Sequence, residues 1–139
     1  MPAKVFLDSN VLIYLYSEDE PEKAALALKC AQQTDAWIST QVLNEVSNVL
    51  RRKQKLAYAD ILLVIRELKD NFQITTVGLT TIEQAIFLGE RYGYSYFDSL
   101  MLASALEQGC NVLYSEDMQH GQVVENLLRI TNPFMESVN

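Results

Sequence analysis

Short β-like runs alternate along the chain with stretches of helical period. Lys4 to Leu7 is apolar, contains strand formers and stops at Asp8. Val11 to Tyr16 is apolar and reads as helix. Glu20-Pro21-Glu22 places proline and acids where a helix begins, and that helix is expected to run to about Gln33. Ala36 to Ser39 reads as a second strand. Ser39 or Thr40 caps the next helix, on which Val42, Val46 and Val49 share a face. Tyr58 to Asp70 predicts another helix, with Ile61, Leu62, Ile65 and Leu68 inward, and Ile74 to Val77 a third strand. Thr80 and Glu83 have capping-box spacing, opening a helix that Gly93 closes. Asp98 is expected to open a helix with Met101, Leu102, Ala105 and Leu106 inward, closed by Gly109. Asn111 to Tyr114 reads as a fourth strand and Leu127 to Ile130 as a fifth at the sheet edge.

This alternation predicts an α/β protein built on a parallel sheet. No repeat, low-complexity stretch or Pro/Gly/Ser linker divides the 139 residues, so residues 1–139 are expected to form one domain. Hydrophobic residues at 49% and charged residues at 21% are ordinary globular usage, which excludes a disordered chain. The most apolar stretch, Ile61 to Ile65, is far too short to span a bilayer. Asp8 interrupts the N-terminal apolar run before a secretory segment could form, so a cytoplasmic location is expected. Cys30 and Cys110 form no CxxC pair, and the single His120 cannot complete a zinc cluster with them. They read as small core residues of a reducing compartment.

Four acids fall where packing alone does not need them. Asp8 and Asp117 each follow a predicted strand, and ligands of open parallel sheets bind beyond the carboxyl ends of strands. Asp98 has two open readings, a helix cap or a group turned toward the core side with Leu102 and Ala105. Glu45 lies within the apolar stripe of Val42, Val46 and Val49, where an isolated carboxylate needs a partner or a cation. A salt bridge would satisfy it, but Arg51, Arg52, Lys53 and Lys55 lie more than about one and a half turns further on. Carboxylates gathered at one crevice repel unless a cation joins them. All-oxygen ligation selects a hard ion, Mg²⁺, Mn²⁺ or Ca²⁺, and one or two such ions can drive phosphodiester cleavage.

These residues resemble the motifs of the PIN-domain nucleases. Val5-Phe6-Leu7-Asp8-Ser9-Asn10-Val11-Leu12-Ile13 resembles the first motif and Gln41-Val42-Leu43-Asn44-Glu45-Val46 the second. Phe97-Asp98-Ser99-Leu100-Met101-Leu102-Ala103-Ser104-Ala105 is similar to the third, and Val112-Leu113-Tyr114-Ser115-Glu116-Asp117 to the fourth. The resemblance runs from Lys4 to about Gly121. It implies a three-layer α/β/α PIN-like fold with a central, mainly parallel sheet and a ribonuclease dependent on Mg²⁺, with Mn²⁺ as substitute. It implies that Asp8, Glu45, Asp98 and Asp117 are the catalytic and metal-binding acids, Asp8 and Asp98 being the most direct ligands, with Asn10 and Ser115 orienting them. The adjacent acids Glu116 and Asp117 leave open which one faces the metal; the motif favours Asp117. The short chain resembles the VapC toxins of toxin–antitoxin pairs, which implies a homodimer and a cognate antitoxin.

A formal net charge of −7 weighs against a nucleic-acid partner. Setting the four site acids aside leaves fourteen acids against eleven basic residues, a balance of −3. Arg51, Arg52, Lys53 and Lys55 form a basic run past the Glu45 helix, either a phosphate contact or a solvated helix end. So small an electrostatic footprint suits a single-stranded or loop RNA target. It also suits a partner that inserts an Arg into the acidic pocket. Tyr92, Tyr94, Tyr96 and Phe97 read as packing against the sheet and a dimer face, or as stacking platforms for bases.

Other uses of such a fold fit less well. A phosphoacceptor receiver would need a Lys after a late strand, and no Lys follows Lys69. Asn10 breaks the Asp-x-Asp of a phosphatase, and no GxGxxG follows the first strand. The remaining alternative is a catalytically silent module of the same fold that binds RNA or a protein.

Overall fold

Residues 3–135 are described by a computed structural model. The elements in chain order are β1 (Lys4–Leu7), α1 (Ser9–Tyr14), α2 (Pro21–Ala31), β2 (Asp35–Ser39), α3 (Thr40–Arg52), α4 (Tyr58–Asn71), β3 (Gln73–Thr75), α5 (Leu79–Tyr92), α6 (Tyr96–Glu107), β4 (Val112–Tyr114), β5 (Val123–Val124) and β6 (Leu128–Thr131). The strands form one sheet in the order β3-β2-β1-β4-β6-β5, parallel except where β5 meets β6. Helices cover it to give the three-layer α/β/α arrangement that the resemblance implied, built on the parallel sheet expected from the alternating pattern. β1 is central and covered on both faces. Val5, Phe6 and Leu7 are all fully buried, which is why this strand is continuously apolar instead of alternating. Cys30 and Cys110 are free and buried, as expected of core residues.

Several boundaries differ from the sequence pattern for local reasons. α1 begins at Ser9, ahead of the apolar run, because Asp8 caps it and its Oδ1 accepts the Ser9 N–H at 2.7 Å. In α3, Ser39 is the cap, accepting the Val42 N–H at 3.2 Å, and the buried stripe is Val42, Val46 and Leu50, with Val49 at its margin. In α4, Ile61 and Leu68 turn inward, but Leu62 is 48% exposed, outside the narrow buried stripe. The Thr80–Glu83 capping box does not form. α5 starts two residues earlier, at Leu79 with Gly78 as its cap, and the buried Thr81 hydroxyl accepts the Gly78 N–H while donating to Glu107 Oε2 at 2.6 Å. Gly93 closes α5 in the left-handed conformation at φ 78°, which a side chain would disfavour.

α6 likewise opens early. Ser95 is its cap, accepting the Asp98 N–H at 3.2 Å, so Asp98 occupies the first turn and is not the cap. Leu127 to Ile130 was expected at the edge; Leu128–Thr131 instead lies inside the sheet, pairing in parallel with β4 and antiparallel with β5. The two-residue β5 is too short to register as a hydrophobic period. It joins β6 through Glu125 and Asn126, both at positive φ.

α5 and α6 pack closely, and Gly89 allows it. A Cβ there would stand 3.0 Å from Ser99 Oγ. Gly89→Val is expected to destabilise the fold by about 1–3 kcal/mol through overpacking, measured by chemical denaturation.

Candidate active site

β1 continues through β2 to β3 on one side, whereas β4 lies on the other. The chain direction of the sheet therefore diverges between β1 and β4, and a crevice opens beyond their carboxyl ends. The Asp8 N–H donates to Tyr114 O at 2.9 Å, which locks the two strand ends together. Asp8 and Ser115, the next residue after each strand, meet there.

Asp8 is 3% exposed. Its Oδ2 accepts from the buried Ser115 hydroxyl at 2.8 Å and from Asn10 Nδ2 at 3.3 Å. The other proton of the Asn10 amide reaches Asp117 Oδ2 at 3.0 Å, so one side chain spans two carboxylates. Asn10 Oδ1 accepts the Glu116 N–H at 3.2 Å, which fixes the amide's orientation. Ser9 Oγ lies 2.7 Å from Glu45 Oε1 and 3.4 Å from Asp8 Oδ1; its single proton goes to the nearer Glu45. Gln41, one turn before Glu45, donates to Glu45 Oε2 at 3.1 Å. Hydrogen bonds thus join Asp8, Asn10, Glu45, Ser115 and Asp117. Asp98 is coupled to them through charge. Burial raises its carboxyl pKa, Ser95 offsets part of this, and Asp117 and Glu45 raise it further.

Among the described residues no Lys, Arg or His side chain pairs with these carboxylates. Among the described residues the ion pairs are Lys23–Glu116 and Arg91–Glu125, so the salt-bridge reading of Glu45 does not hold. Arg51 instead donates to Leu56 O at 3.0 Å and lies 4.2 Å over the Tyr58 ring. The consequence is greatest at Asp8. Burial, with smaller contributions from Glu45 and Asp98, pushes its pKa up to about 7 despite the Ser115 and Ser9 hydrogen bonds.

Glu116 and Asp117 part company. Glu116 turns away, accepting from Tyr14 Oη at 2.7 Å and pairing with Lys23 Nζ at 2.6 Å. Burial alone would raise the Glu116 pKa, but Lys23 and Tyr14 hold it below the usual range. Asp117 is the acid that reaches Asn10. Sequence reasoning missed Ser9, Gln41, Tyr14 and Lys23. Gln41 could have been found from its four-residue spacing to Glu45 on one helix face; nothing in the sequence pairs Lys23 with Glu116. His120 accepts the Asn132 N–H at 2.9 Å through Nδ1, an arrangement that holds a loop.

The donor set, carboxylates with amide and hydroxyl support, fits a hard divalent ion in its chemistry. Among the described residues no three acidic, His or Cys side chains are grouped to ligate one ion together. The fit is therefore to an ion that keeps several waters and takes one or two carboxylates, as Mg²⁺ does.

The PIN domain family matches residues 5–125. The chain belongs to the PIN-domain family. No curated protein sequence matches it. Among solved structures, it is similar to a sarcin–ricin-loop-cleaving VapC toxin of Mycobacterium tuberculosis, at 19% identity and TM-score 0.66, over 82% of this chain and 90% of that one. A toxin–antitoxin complex from Klebsiella pneumoniae aligns at 20% identity and TM-score 0.68, over 94% and 98%. DNA-bound VapBC from Salmonella typhimurium aligns at 17% identity and TM-score 0.64, over 94% and 98%. At these identities the likeness is one of fold.

Proposed function

We propose that the protein is a divalent-metal-dependent endoribonuclease and the toxin of a toxin–antitoxin pair. The observation that carries this reading is Asp8, a carboxylate 3% exposed, beside Glu45, Asp98 and Asp117 with no basic partner among the described residues. Asp8 and Asp98 are the most direct ligands, with Glu45 and Asp117 completing the acidic wall. A bound Mg²⁺, or Mn²⁺ in its place, supplies an activated water and stabilises the leaving oxygen of a phosphodiester. Ser115 and Asn10 hold Asp8 Oδ2 in one orientation, and Ser9 and Gln41 do the same for Glu45. The likeness to a VapC toxin and to complexes with antitoxins supports RNA as substrate and an antitoxin as partner. A homodimer and a cytoplasmic site of action belong to the same reading. Among the described residues no helix is long and apolar enough to cross a membrane.

The purified protein is expected to cut single-stranded or loop RNA with Mg²⁺ or Mn²⁺ and to stop when EDTA is added, as followed on denaturing gels. Cleavage that persists in EDTA would exclude the metal. RNA binding with no cleavage at any divalent-ion concentration would leave the silent module.

A further inference from the structure

A groove of about 400 Å³ opens beside the acidic site, lined by Gln41, Asn44, Glu45 and Asn48 of α3 and by Phe97 of α6. Its position follows from the sequence. Residues 41, 44, 45 and 48 recur at helical spacing and form one ridge of α3, while Phe97 immediately precedes Asp98 in the first turn of α6. Phe97 is 57% exposed, and Tyr96 braces it with ring centroids 5.5 Å apart at 62°. The α3 wall presents three neutral amides, Gln41, Asn44 and Asn48, beside the Glu45 carboxylate. Gln41 is committed to Glu45 and receives Asn44 Nδ2 at 3.4 Å. Asn48 is exposed and makes no side-chain hydrogen bond among the described residues.

Building on the nuclease reading, we propose that this groove is a nucleobase subsite. Phe97 stacks on one unpaired base of single-stranded RNA, and the Asn44 and Asn48 amides bond to its edge, next to the phosphate that the acids address. The charge balance favours this occupant. With a net charge of −7 and no Lys or Arg in the lining, the chain has little with which to grip a phosphate backbone. Base stacking and amide hydrogen bonds supply affinity that does not depend on positive charge. Amides both donate and accept, which suits the mixed edges of bases.

The test uses Asp8→Asn protein, which leaves the strand uncut, and RNA hexamers carrying 2-aminopurine at each position in turn. Quenching is expected at one position. Phe97→Ala in that background should abolish the quench and weaken binding roughly ten-fold, and Phe97→Trp should retain both. In the Asp8 protein, Phe97→Ala should raise KM more than it lowers kcat. If Phe97→Ala leaves binding and quenching unchanged, the subsite is wrong while the nuclease reading stands. If it changes the oligomeric state but not RNA affinity, the groove is a protein contact and the subsite is likewise overturned. If neither protein binds or cuts any RNA, both readings fall together.

Discussion

Asp8→Asn is expected to lower RNA cleavage by more than about 100-fold, beyond the 10- to 100-fold typical of groups that only support a metal ligand. It should do so without unfolding the protein. Asn caps helices as well as Asp does, so the Ser9 N–H keeps an acceptor at the start of α1. The substitution also removes a buried charge that has no counter-ion, so the melting temperature in EDTA should rise. Loss of activity together with a stabilised apo-protein separates this outcome from simple misfolding. A variant that cuts at the normal rate, or one that melts well below the parent in EDTA, would remove Asp8 from the centre of the site.

In EDTA the protein should become more stable as pH falls from about 7 toward 5. Asp8 is held at about 7 in the fold, against an ordinary 3.8. Between those values the native state binds a proton that the unfolded chain has released, so acidification favours the native state. Asp98, also raised, adds in the same direction. Glu116 acts oppositely, because its pKa is lowered, but its stabilisation is lost only below the ordinary 4.5. The full Asp8 contribution, from near pH 4 to above pH 7, is on the order of 4 kcal/mol. Saturating Mg²⁺ should reverse the trend near neutrality, adding about 2.7 kcal/mol at a concentration 100 times its Kd. Urea titrations at several pH values, with and without the ion, measure both effects. Stability in EDTA that falls steadily between pH 7 and 5 would contradict the buried, uncompensated carboxylate.

The sequence carried the sheet and most helices because each rested on a period or a cap with a local cause. Ser39 and Gly93 were legible as a cap and a stop for that reason. The departures fall where residue type left two readings open or where a non-local partner decided the outcome. Asp98 could be a helix cap or a core-side group, and Ser95, three residues earlier, holds the cap. The edge strand β5 is two residues long and exists only through its pairing with β6. For the site, residue types and strand ends pointed to Asp8, Glu45, Asp98 and Asp117. The hydrogen bonds that connect several of them were not legible, because Ser9 meets Glu45 across 36 residues and Asn10 meets Asp117 across 107. The separation of Glu116 from Asp117 likewise depends on Lys23, which lies 93 residues away.

Ser115 donates to Asp8 across 107 residues of chain, and Asp117 lies two residues beyond Ser115. The centre therefore straddles the first and last thirds of the polypeptide, and contacts so distant in sequence form late in folding. A nascent chain still on the ribosome, with β4 not yet emerged, holds Asp8 without the serine that orients it. A nuclease built on this centre would lack its orienting serine until β4 has been made and has paired with β1.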